Sequence, residues 1–284
     1  MHSGDFGEVA QKLRRSTVQV VSGSRRGMGL GSGVISTSDG TVITNAHVVR
    51  ESSVRIELSD GRSFSAEVAS RDVRLDLAKL KLSATNLPAL QWRASRSVRA
   101  GELAIAVGNP LGFLGALSTG VVHALGPVIG MGRRPWLQAA IRLAPGNSGG
   151  PLADAEGKVI GINTAVISTG LALAIPSDQV EHFLKCGARP ALGISVRPVH
   201  LDRMGKIGLL VLEVAAKGLA ENASLMIGDV FVSANGQIFQ SPGDLSDAID
   251  QSANSILKLR FLRGDRRVER EVSIPLTDLR QEAA

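Results

Sequence analysis

The chain has 284 residues, and 32 Lys and Arg residues against 26 Asp and Glu residues give it a formal net charge of +6. This length allows one or two domains that each bury a hydrophobic core. Glycine is frequent, with 32 residues, aromatic residues make up only 3%, and short runs of Val, Ile and Leu alternate with turn residues. Such a composition favours β-barrels over helical bundles.

Charge and hydropathy exclude two classes of partner. Basic residues are scattered and form only small clusters, such as Arg14-Arg15 and Arg133-Arg134, with no interleaved aromatic residues to stack on bases. We therefore expect no nucleic-acid partner. No apolar run approaches the length of a membrane span. The single cysteine, Cys186, excludes an internal disulfide and leaves both reducing and oxidising compartments open.

The N-terminal segment is predicted to be a short helix from Gly7 to Arg14, followed by a strand from Thr17 to Val21. Met1 to Phe6 have neither the basic nor the apolar part of a signal peptide. We therefore expect a cytoplasmic protein if the chain is complete, and a periplasmic or otherwise exported one if a leader was removed.

Glycines alternate at positions 27, 29, 31 and 33. One face of this predicted strand therefore carries no side chains, so another backbone or a substrate can approach it closely. The spacing is not that of a nucleotide-binding loop. No Gly-Lys-Ser/Thr pattern follows, and Ser32 and Val34 stand where a dinucleotide fingerprint needs its third glycine.

Two segments carry candidate catalytic side chains. Thr41 to Val49 is a β-branched strand that runs into a turn, which leaves His47 at the strand's end. Leu75 to Leu80 places Asp76 between leucines on an apolar strand, where an ionised carboxylate is costly unless it is hydrogen-bonded. His47 is one candidate partner. Taken alone, Asp76 is as well explained as an ordinary strand-end or turn carboxylate.

The segment Gly146 to Pro151, Gly-Asn-Ser-Gly-Gly-Pro, is the most informative stretch of the chain. Glycines on both sides of Ser148 permit a tight turn that holds the hydroxyl out. The turn Gly146-Asn147-Ser148 can also aim the N–H groups of Gly146 and Ser148 at one point, where they would form an oxyanion hole. For the hexapeptide alone, an ordinary polar loop is the alternative.

The three candidates together make a stronger case. A serine hydroxyl is a weak nucleophile, so it requires a histidine base and an acid that orients the histidine. The order His47, Asp76, Ser148 is that of the chymotrypsin-type double β-barrel, and it differs from the subtilisin-like and α/β-hydrolase orders. We expect one barrel to about residue 85, a second from about residue 98 to 176, and a crossing segment at 86–97 between them.

Five motifs resemble the HtrA/Deg serine proteases, and the resemblance spans nearly the whole chain. They are Thr44 to Val49, Asp76 to Ala78, Gly108 to Gly112, Gly146 to Leu152 and Ala174 to Ser177. The resemblance implies a mainly β chain, with a chymotrypsin-like double β-barrel followed by a C-terminal PDZ domain. The corresponding boundaries are a protease domain at 1–187, a linker at 188–190, the PDZ domain at 191–276 and a tail at 277–284. A helix from Ser177 to Gly187, with a capping residue at its start, would close the protease domain.

Carried over by position, the resemblance makes Ser148 the nucleophile, His47 the general base and then acid, and Asp76 the group that fixes the His47 tautomer. It implies no metal or other cofactor. The activity would be ATP-independent cleavage of unfolded or damaged proteins through an acyl-enzyme, as in protein quality control. The family also implies a homotrimer, although Phe6 is the only aromatic residue that the N-terminal segment offers for it.

The second domain carries PDZ motifs of the HtrA type, including Met226 to Val230 and a helix from Pro242 to Gln251. In such domains a peptide C-terminus pairs with an edge strand, here Ile194 to Val196, while the N–H groups of Leu192 and Gly193 grip its carboxylate. Leu245 and Ile249 lie four apart on the helix. They either line the pocket for the last side chain or fill the domain core.

Two departures from the family pattern bear on activity. Ala139-Ala140 stand where the family usually has Thr-Asp, so a polar support near the active-site turn is missing. Asn147 stands where related digestive proteases have an aspartate, which pairs with a newly cut N-terminus during their activation. We therefore expect that this chain is not activated by cleavage. The first departure keeps an alternative function open: a peptide-binding or holdase-like chaperone module with an idle protease site.

The specificity pocket has two candidate descriptions. By resemblance, Leu171 and Leu173 form its wall and favour Val, Ala or Leu at the cleaved position, unless both belong to the barrel core. Arg142 lies six residues before Ser148, near the pocket floor in chymotrypsin-type proteases, where it could accept an acidic side chain. An unpaired guanidinium in an apolar pocket is costly, so we expect Arg142 to turn toward solvent.

Overall fold

The structure, a computed structural model, describes residues 6–23, 29–129, 131, 134–168, 170–187, 192–201, 206–241, 243–252, 255–264 and 268–276. Its described residues form two compact units, one within 1–126 and 135–188 and the other within 127–134 and 189–284. Both units consist mainly of β-strands. The expected linker at 188–190 and tail at 277–284 lie outside the described residues.

The first unit begins with helix α1 (Phe6–Ser16), which confirms the predicted N-terminal helix. A first closed barrel follows, in which the described strands are joined in the order β1-β2-β3-β6-β5-β4. Their bounds are β1 Thr17–Ser22, β2 Gly29–Thr37, β3 Thr41–Thr44, β4 Ser53–Glu57, β5 Ser63–Asp72 and β6 Leu77–Leu82. Val18, Ile35, Ile56 and Leu80 are among the fully buried side chains of its core.

The alternating glycines of β2 face this core. A Cβ at Gly31 would lie 2.5 Å from a methyl group of Val48, and one at Gly33 would lie 2.8 Å from a methyl group of Val42. The close approach predicted from the glycines is therefore made mainly by valine side chains of the barrel, together with one backbone atom, the Ile43 carbonyl oxygen, 3.3 Å from a Cβ at Gly33. Gly27 lies outside the described residues. Ser32, on the opposite face of β2, is fully buried outside the barrel interior.

A second closed barrel joins its described strands in the order β10-β11-β12-β9-β8-β7. Their bounds are β7 Leu103–Gly108, β8 Ala116–Pro127, β9 Pro135–Ala140, β10 Pro151–Ala153, β11 Val159–Ser168 and β12 Leu171–Pro176. Its core contains Leu137, Ile160, Ala172 and Ala174. The two barrels confirm the predicted chymotrypsin-like fold.

Helix α2 (Ser177–Cys186) follows the second barrel, as predicted. The expected cap is wrong, because the N-cap position is Pro176 and has no side-chain capping bond. Ser177 instead donates its hydroxyl to the carbonyl oxygen of Arg93, at 2.6 Å. Arg93 in turn pairs with both carboxylate oxygens of Glu102, at 2.7 and 3.1 Å. These bonds hold the crossing segment against the second barrel.

The second unit is a sheet with strand order β13-β14-β15-β17-β18, and β16 pairs with β15. The elements are β13 Ile194–Leu201, β14 Lys206–Val214, α3 Leu219–Asn222, β15 Val230–Ala234, β16 Gln237–Ile238, α4 Asp244–Gln251, β17 Ile256–Leu262 and β18 Glu269–Pro275. Phe231, Leu257 and Leu259 are fully buried in its core. β13 lies at the sheet edge, where the sequence predicted an edge strand. Within the described ranges, no helix has the length and apolar character needed to cross a membrane.

Candidate active site

His47 and Asp76 meet because their strands are neighbours. β3 pairs with β6, with Thr44 opposite Ala78, so the turn after β3 lies beside the residue that precedes β6. Nδ1 of His47 lies 3.0 Å from Oδ1 and 2.9 Å from Oδ2 of Asp76. The backbone N–H of His47 also donates to Oδ1, at 3.0 Å. These contacts orient the imidazole and leave its Nε2 atom for other chemistry.

Asp76 lies in a turn and not within the strand where the sequence placed it. Its φ of 58° is in the left-handed region, which aspartate tolerates better than most residues. The side-chain N–H of Asn45 donates to the Asp76 carbonyl, at 2.9 Å. Leu75 and Leu77 on either side are buried. The apolar neighbours therefore anchor the turn while the carboxylate turns toward His47.

Thr164 on β11 is a further residue of the candidate site, which the sequence did not predict. Its hydroxyl donates to Oδ2 of Asp76 at 2.5 Å, and its carbonyl oxygen accepts a hydrogen bond from Oγ of Ser148 at 3.2 Å. The available signal was a polar pair, Asn163-Thr164, within the apolar run from Val159 to Ile167. Thr164 thus contacts both the acid and the serine.

The hydrogen bonds at Asp76 decide its charge. Burial alone would raise the pKa of the carboxyl group, but the hydrogen bonds from His47 and Thr164 outweigh burial and hold the pKa of Asp76 below its ordinary value. Asp76 is therefore an ionised acceptor near neutral pH. It can stabilise the positive charge that His47 acquires when the histidine takes up a proton.

The turn around Ser148 has the backbone that its glycines predicted. Gly146 has a φ of 104° and Gly149 a φ of 86°. Among the described residues, the N–H groups of Gly146 and Ser148 donate to no acceptor. Asn147, the middle residue of the predicted oxyanion-hole turn, contributes no free N–H group, because its N–H donates to the Ala144 carbonyl at 3.0 Å. Two N–H groups two residues apart are thus left for a ligand oxygen.

The serine and the histidine are not hydrogen-bonded to each other in this structure. Within the described part of the chain, Oγ of Ser148 has Thr164 as its partner, and Nε2 of His47 has none. The His47 side chain is 51% exposed and that of Asp76 is 21% exposed. A substrate can therefore reach the histidine, while the acid is more shielded from water.

The candidate pocket residues fall into two groups. Leu171 and Leu173 alternate along β12 with Ala172 and Ala174, which belong to a core cluster of the second barrel. Leu173 is also a buried core residue, at 1% exposed. Arg142 is exposed, in agreement with the expected turn toward solvent. It borders an open depression of about 450 Å³ whose other lining residues are Ser118, Thr119, Ala140, Ile141 and Gly170.

Ala139 and Ala140, which stand where the family usually has a polar pair, take no part in the hydrogen bonds of the candidate site. Ala139 lies in the core of the second barrel, and Ala140 pairs with Leu171 on β12. Asp76, His47 and Thr164 are bonded to one another without any contribution from these two positions. The alanines therefore do not prevent the acid and the base from assembling.

The candidate peptide-binding residues of the second unit lie at the start of β13 and on helix α4. Gly193 has a φ of 74°, and in the described ranges the N–H groups of Leu192 and Gly193 donate to no acceptor. Ile194 begins the edge strand and packs against the core. Leu245 and Ile249, each 5% exposed, belong to that core. Of the two alternatives for this pair, burial favours core filling.

Comparisons with known proteins agree with this architecture. Residues 31–162 match the family of trypsin-like peptidase domains, and residues 190–274 match the PDZ domain family. Two solved structures align with 97% of this chain at 26% identity. They are a variant of the HtrA-type protease AlgW with a tripeptide, with a TM-score of 0.71, and the serine endoprotease from Yersinia pestis, with a TM-score of 0.70. Each alignment covers 98% of the other chain.

Curated relatives give the same result. The serine protease HhoA of Synechocystis sp. is 35% identical in an alignment of length 275 that covers 86% of this chain and 70% of that protein. A DegP-like periplasmic serine endoprotease of Pseudomonas putida is 34% identical in an alignment of length 270 that covers 88% of this chain and 56% of that protein. The chain thus spans between about half and seven tenths of the length of these relatives.

The chain has two closed barrels, with an acid-histidine pair beside a serine turn, and a PDZ domain follows them in the sequence. This combination defines a chymotrypsin-like serine protease with a peptide-binding module. The chain belongs to the HtrA/Deg family of serine proteases.

Proposed function

We propose that this chain is an ATP-independent endopeptidase in which Ser148 is the nucleophile, His47 the general base and then acid, and Asp76 the group that orients His47. One observation carries the proposal: both carboxylate oxygens of Asp76 contact Nδ1 of His47, at 3.0 and 2.9 Å. This contact keeps the proton on Nδ1 and leaves Nε2 as the base. A serine nucleophile requires such a base.

The reaction begins when Oγ of Ser148 turns from the Thr164 carbonyl to Nε2 of His47. Nε2 takes the hydroxyl proton as Oγ bonds to the substrate carbonyl carbon, and negative charge moves to the carbonyl oxygen. The N–H groups of Gly146 and Ser148 stabilise this oxyanion. The C–N bond then breaks, the leaving amine takes the proton from Nε2, and a water molecule hydrolyses the acyl-enzyme by the same proton route.

The substrates are unfolded or damaged proteins, as in protein quality control. β11 pairs with β10 only through residues 159–162, whereas it pairs with β12 through residues 161–168. Beyond Thr164, one edge of β11 therefore has no strand partner among the described residues, and Val166 and Ile167 are exposed. Only an extended segment can add to a strand edge, so a chain must be locally unfolded to be cut.

The PDZ domain binds hydrophobic peptide C-termini along β13. The unbonded N–H groups of Leu192 and Gly193 support a carboxylate at that end of the strand. By family resemblance the protein is a homotrimer. The periplasmic relatives favour the exported alternative for its compartment.

The competing function is a peptide-binding or holdase-like module with an idle protease site. The hydrogen bond from Ser148 to the Thr164 carbonyl favours it, because a serine held there is not activated by His47. The two functions differ in one measurable property. Only an activated serine reacts with a fluorophosphonate.

Labelling by a fluorophosphonate probe, with casein cleavage measured on the same samples, tests the proposal. We expect the wild type to be labelled at Ser148. Ser148→Ala, His47→Ala and Asp76→Asn should each lose several orders of magnitude of activity while they keep the wild-type circular dichroism spectrum. Equal cleavage by the wild type and Ser148→Ala would exclude the proposed nucleophile, and an unlabelled wild type would favour the idle site.

A further inference from the structure

Ser32, a residue of the first barrel, contacts the turn that carries the nucleophile. It is fully buried on β2. Its hydroxyl donates to the carbonyl oxygen of Gly146, at 2.6 Å, and its backbone N–H donates to the carbonyl oxygen of Ser148, at 2.8 Å. The first of these bonds joins positions 114 residues apart in the chain.

The remaining hydrogen-bonding groups of Ser32 are also occupied. Its hydroxyl oxygen accepts a hydrogen bond from the backbone N–H of Asn109, at 2.8 Å, and its carbonyl oxygen accepts one from the hydroxyl of Thr44, at 2.6 Å. The Asn109 segment itself packs on Gly146, where a Cβ would lie 2.7 Å from the Asn109 carbonyl oxygen. Ser32 therefore joins β2, the Asn109 segment and the nucleophile turn.

These bonds fix particular peptide planes of the turn. The plane between residues 146 and 147 is held at both ends, by Ser32 at the Gly146 carbonyl and by Ala144 at the Asn147 N–H. The plane between residues 148 and 149 is held by Ser32 at the Ser148 carbonyl and by Asn163 at the Gly149 N–H. The two unbonded N–H groups, of Gly146 and Ser148, belong to the planes next to these.

The turn needs such support because of its own composition. Glycines at positions 146 and 149 permit many backbone conformations, so the local sequence does not by itself select the one that directs both N–H groups outward. An oxyanion hole is effective only when its donors are already in position before charge develops. The support has to come from outside the turn.

We infer that Ser32 is a positioning residue for catalysis, whose hydroxyl holds the Gly146 carbonyl so that the Gly146 and Ser148 N–H groups face the developing oxyanion. This inference rests on the proposed function. Loss of the Ser32 hydroxyl should affect the transition state more than substrate binding, and should therefore lower kcat more than it raises KM.

The competing explanation is that Ser32 is only a well-bonded buried serine. Ser95 offers a matched control. It is 1% exposed, and its hydroxyl donates to the Asp178 carboxylate at 2.8 Å and accepts a hydrogen bond from the Asp178 N–H at 3.3 Å. Ser95→Ala therefore removes an equally buried hydroxyl with one donated and one accepted bond, away from the nucleophile turn.

The experiment compares the full-length wild type, Ser32→Ala and Ser95→Ala. Its readouts are kcat and KM on a peptide substrate, the fluorophosphonate labelling rate, and the inhibition constant of a peptide boronate, which forms a tetrahedral adduct like the transition state. For Ser32→Ala we expect kcat and the labelling rate to fall about tenfold to hundredfold, with KM within about twofold. The inhibition constant of the boronate should rise in parallel. Ser95→Ala should lower Tm comparably and leave kcat within about twofold.

Ser32→Cys provides a second variant if Ser32→Ala does not fold, because a thiol is larger than a hydroxyl, leaves no cavity and keeps a weak donor. Its kcat should fall by less than that of Ser32→Ala, and by more than about twofold. If the wild type is labelled and the folded Ser32 variant matches it in labelling rate and kcat, the inference is wrong and the proposed function stands. If the wild type itself is not labelled, the proposed function fails and the inference fails with it.

Discussion

The hydroxyl of Ser148 donates its hydrogen bond to the carbonyl oxygen of Thr164, 3.2 Å away, and not to His47. The hydroxyl of the same threonine donates to Asp76. Thr164 thus contacts the candidate nucleophile through its backbone and the candidate acid through its side chain. The two contacts can be separated, because a side-chain substitution removes only the second.

Thr164→Val should lower activity by weakening the Asp76-His47 pair. Valine has nearly the shape of threonine but no hydroxyl, and one hydrogen bond to a charged group contributes about 1.5–3 kcal/mol. We expect kcat/KM to fall about tenfold or more, and the pKa of Asp76 to rise toward its ordinary value. Thr164→Ser, which keeps the hydroxyl, is the control. A valine variant with wild-type kcat/KM across the pH range would contradict the assigned role.

The pH dependence of stability should report the charge of Asp76. Because its folded-state pKa is lowered, the carboxylate stabilises the fold above the unfolded-state pKa, about 3.9, and this contribution is lost as the pH falls through the folded-state value. The stability difference between the wild type and Asp76→Asn should therefore be constant near neutral pH and shift against the wild type below about pH 4. Urea unfolding from pH 7 to pH 2.5 measures it, and a difference independent of pH would refute the assignment.

Gly149→Ala should be far more damaging than Gly170→Ala, although the two glycines share nearly the same φ, 86° and 87°. A Cβ at position 149 would lie 2.1 Å from the Ser32 carbonyl oxygen and 2.3 Å from the Thr44 hydroxyl, whereas nothing lies within 4 Å of one at position 170. Both variants incur backbone strain of about 1–2 kcal/mol, and Gly149→Ala adds overpacking of about 1–3 kcal/mol. Equal free energies of unfolding in urea would contradict this account.

We expect a preference for Val, Ala or Leu at the cleaved position, and we expect Arg142→Ala to leave it unchanged. Arg142 is exposed at the edge of an open depression, and its solvated guanidinium has no reason to select an acidic side chain at the cut site. Profiling of a peptide library with both proteins measures the preference. A preference for Asp or Glu in the wild type that disappears in the variant would instead make Arg142 the pocket floor.

A hydrophobic peptide with a free C-terminus should bind the PDZ domain much more tightly than the same peptide with a C-terminal amide. The N–H groups of Leu192 and Gly193 are unbonded in the described ranges, and hydrogen bonds to a charged acceptor are about twice as strong as neutral ones. Calorimetry on the intact chain gives both affinities. If acid and amide bind equally, these N–H groups do not hold a carboxylate.

Much of the architecture follows from local patterns. Glycines on both sides of Ser148 indicate the tight turn, because a left-handed backbone at positions 146 and 149 requires residues without side chains. A run of β-branched residues, Thr41 to Thr44, predicts the strand before His47, and the leucine-rich segment 75–80 predicts the strand beside Asp76. The chain order of the three candidate catalytic residues selects the double barrel, which the strand pairing confirms.

The partners of these residues depend on the packing of the two barrels. Thr164 reaches Asp76 from 88 positions away, and Ser32 reaches the Gly146 carbonyl from 114 positions away, because each hydrogen bond joins a residue of one barrel to a residue of the other. The sequence around a single polar residue on an apolar strand does not identify the residue to which it will be hydrogen-bonded. For the same reason, the Asp76 turn, the bonded N–H of Asn147 and the position of the Ser148 hydroxyl emerge only in the tertiary structure, where each buried polar group takes the partner that packing leaves within reach.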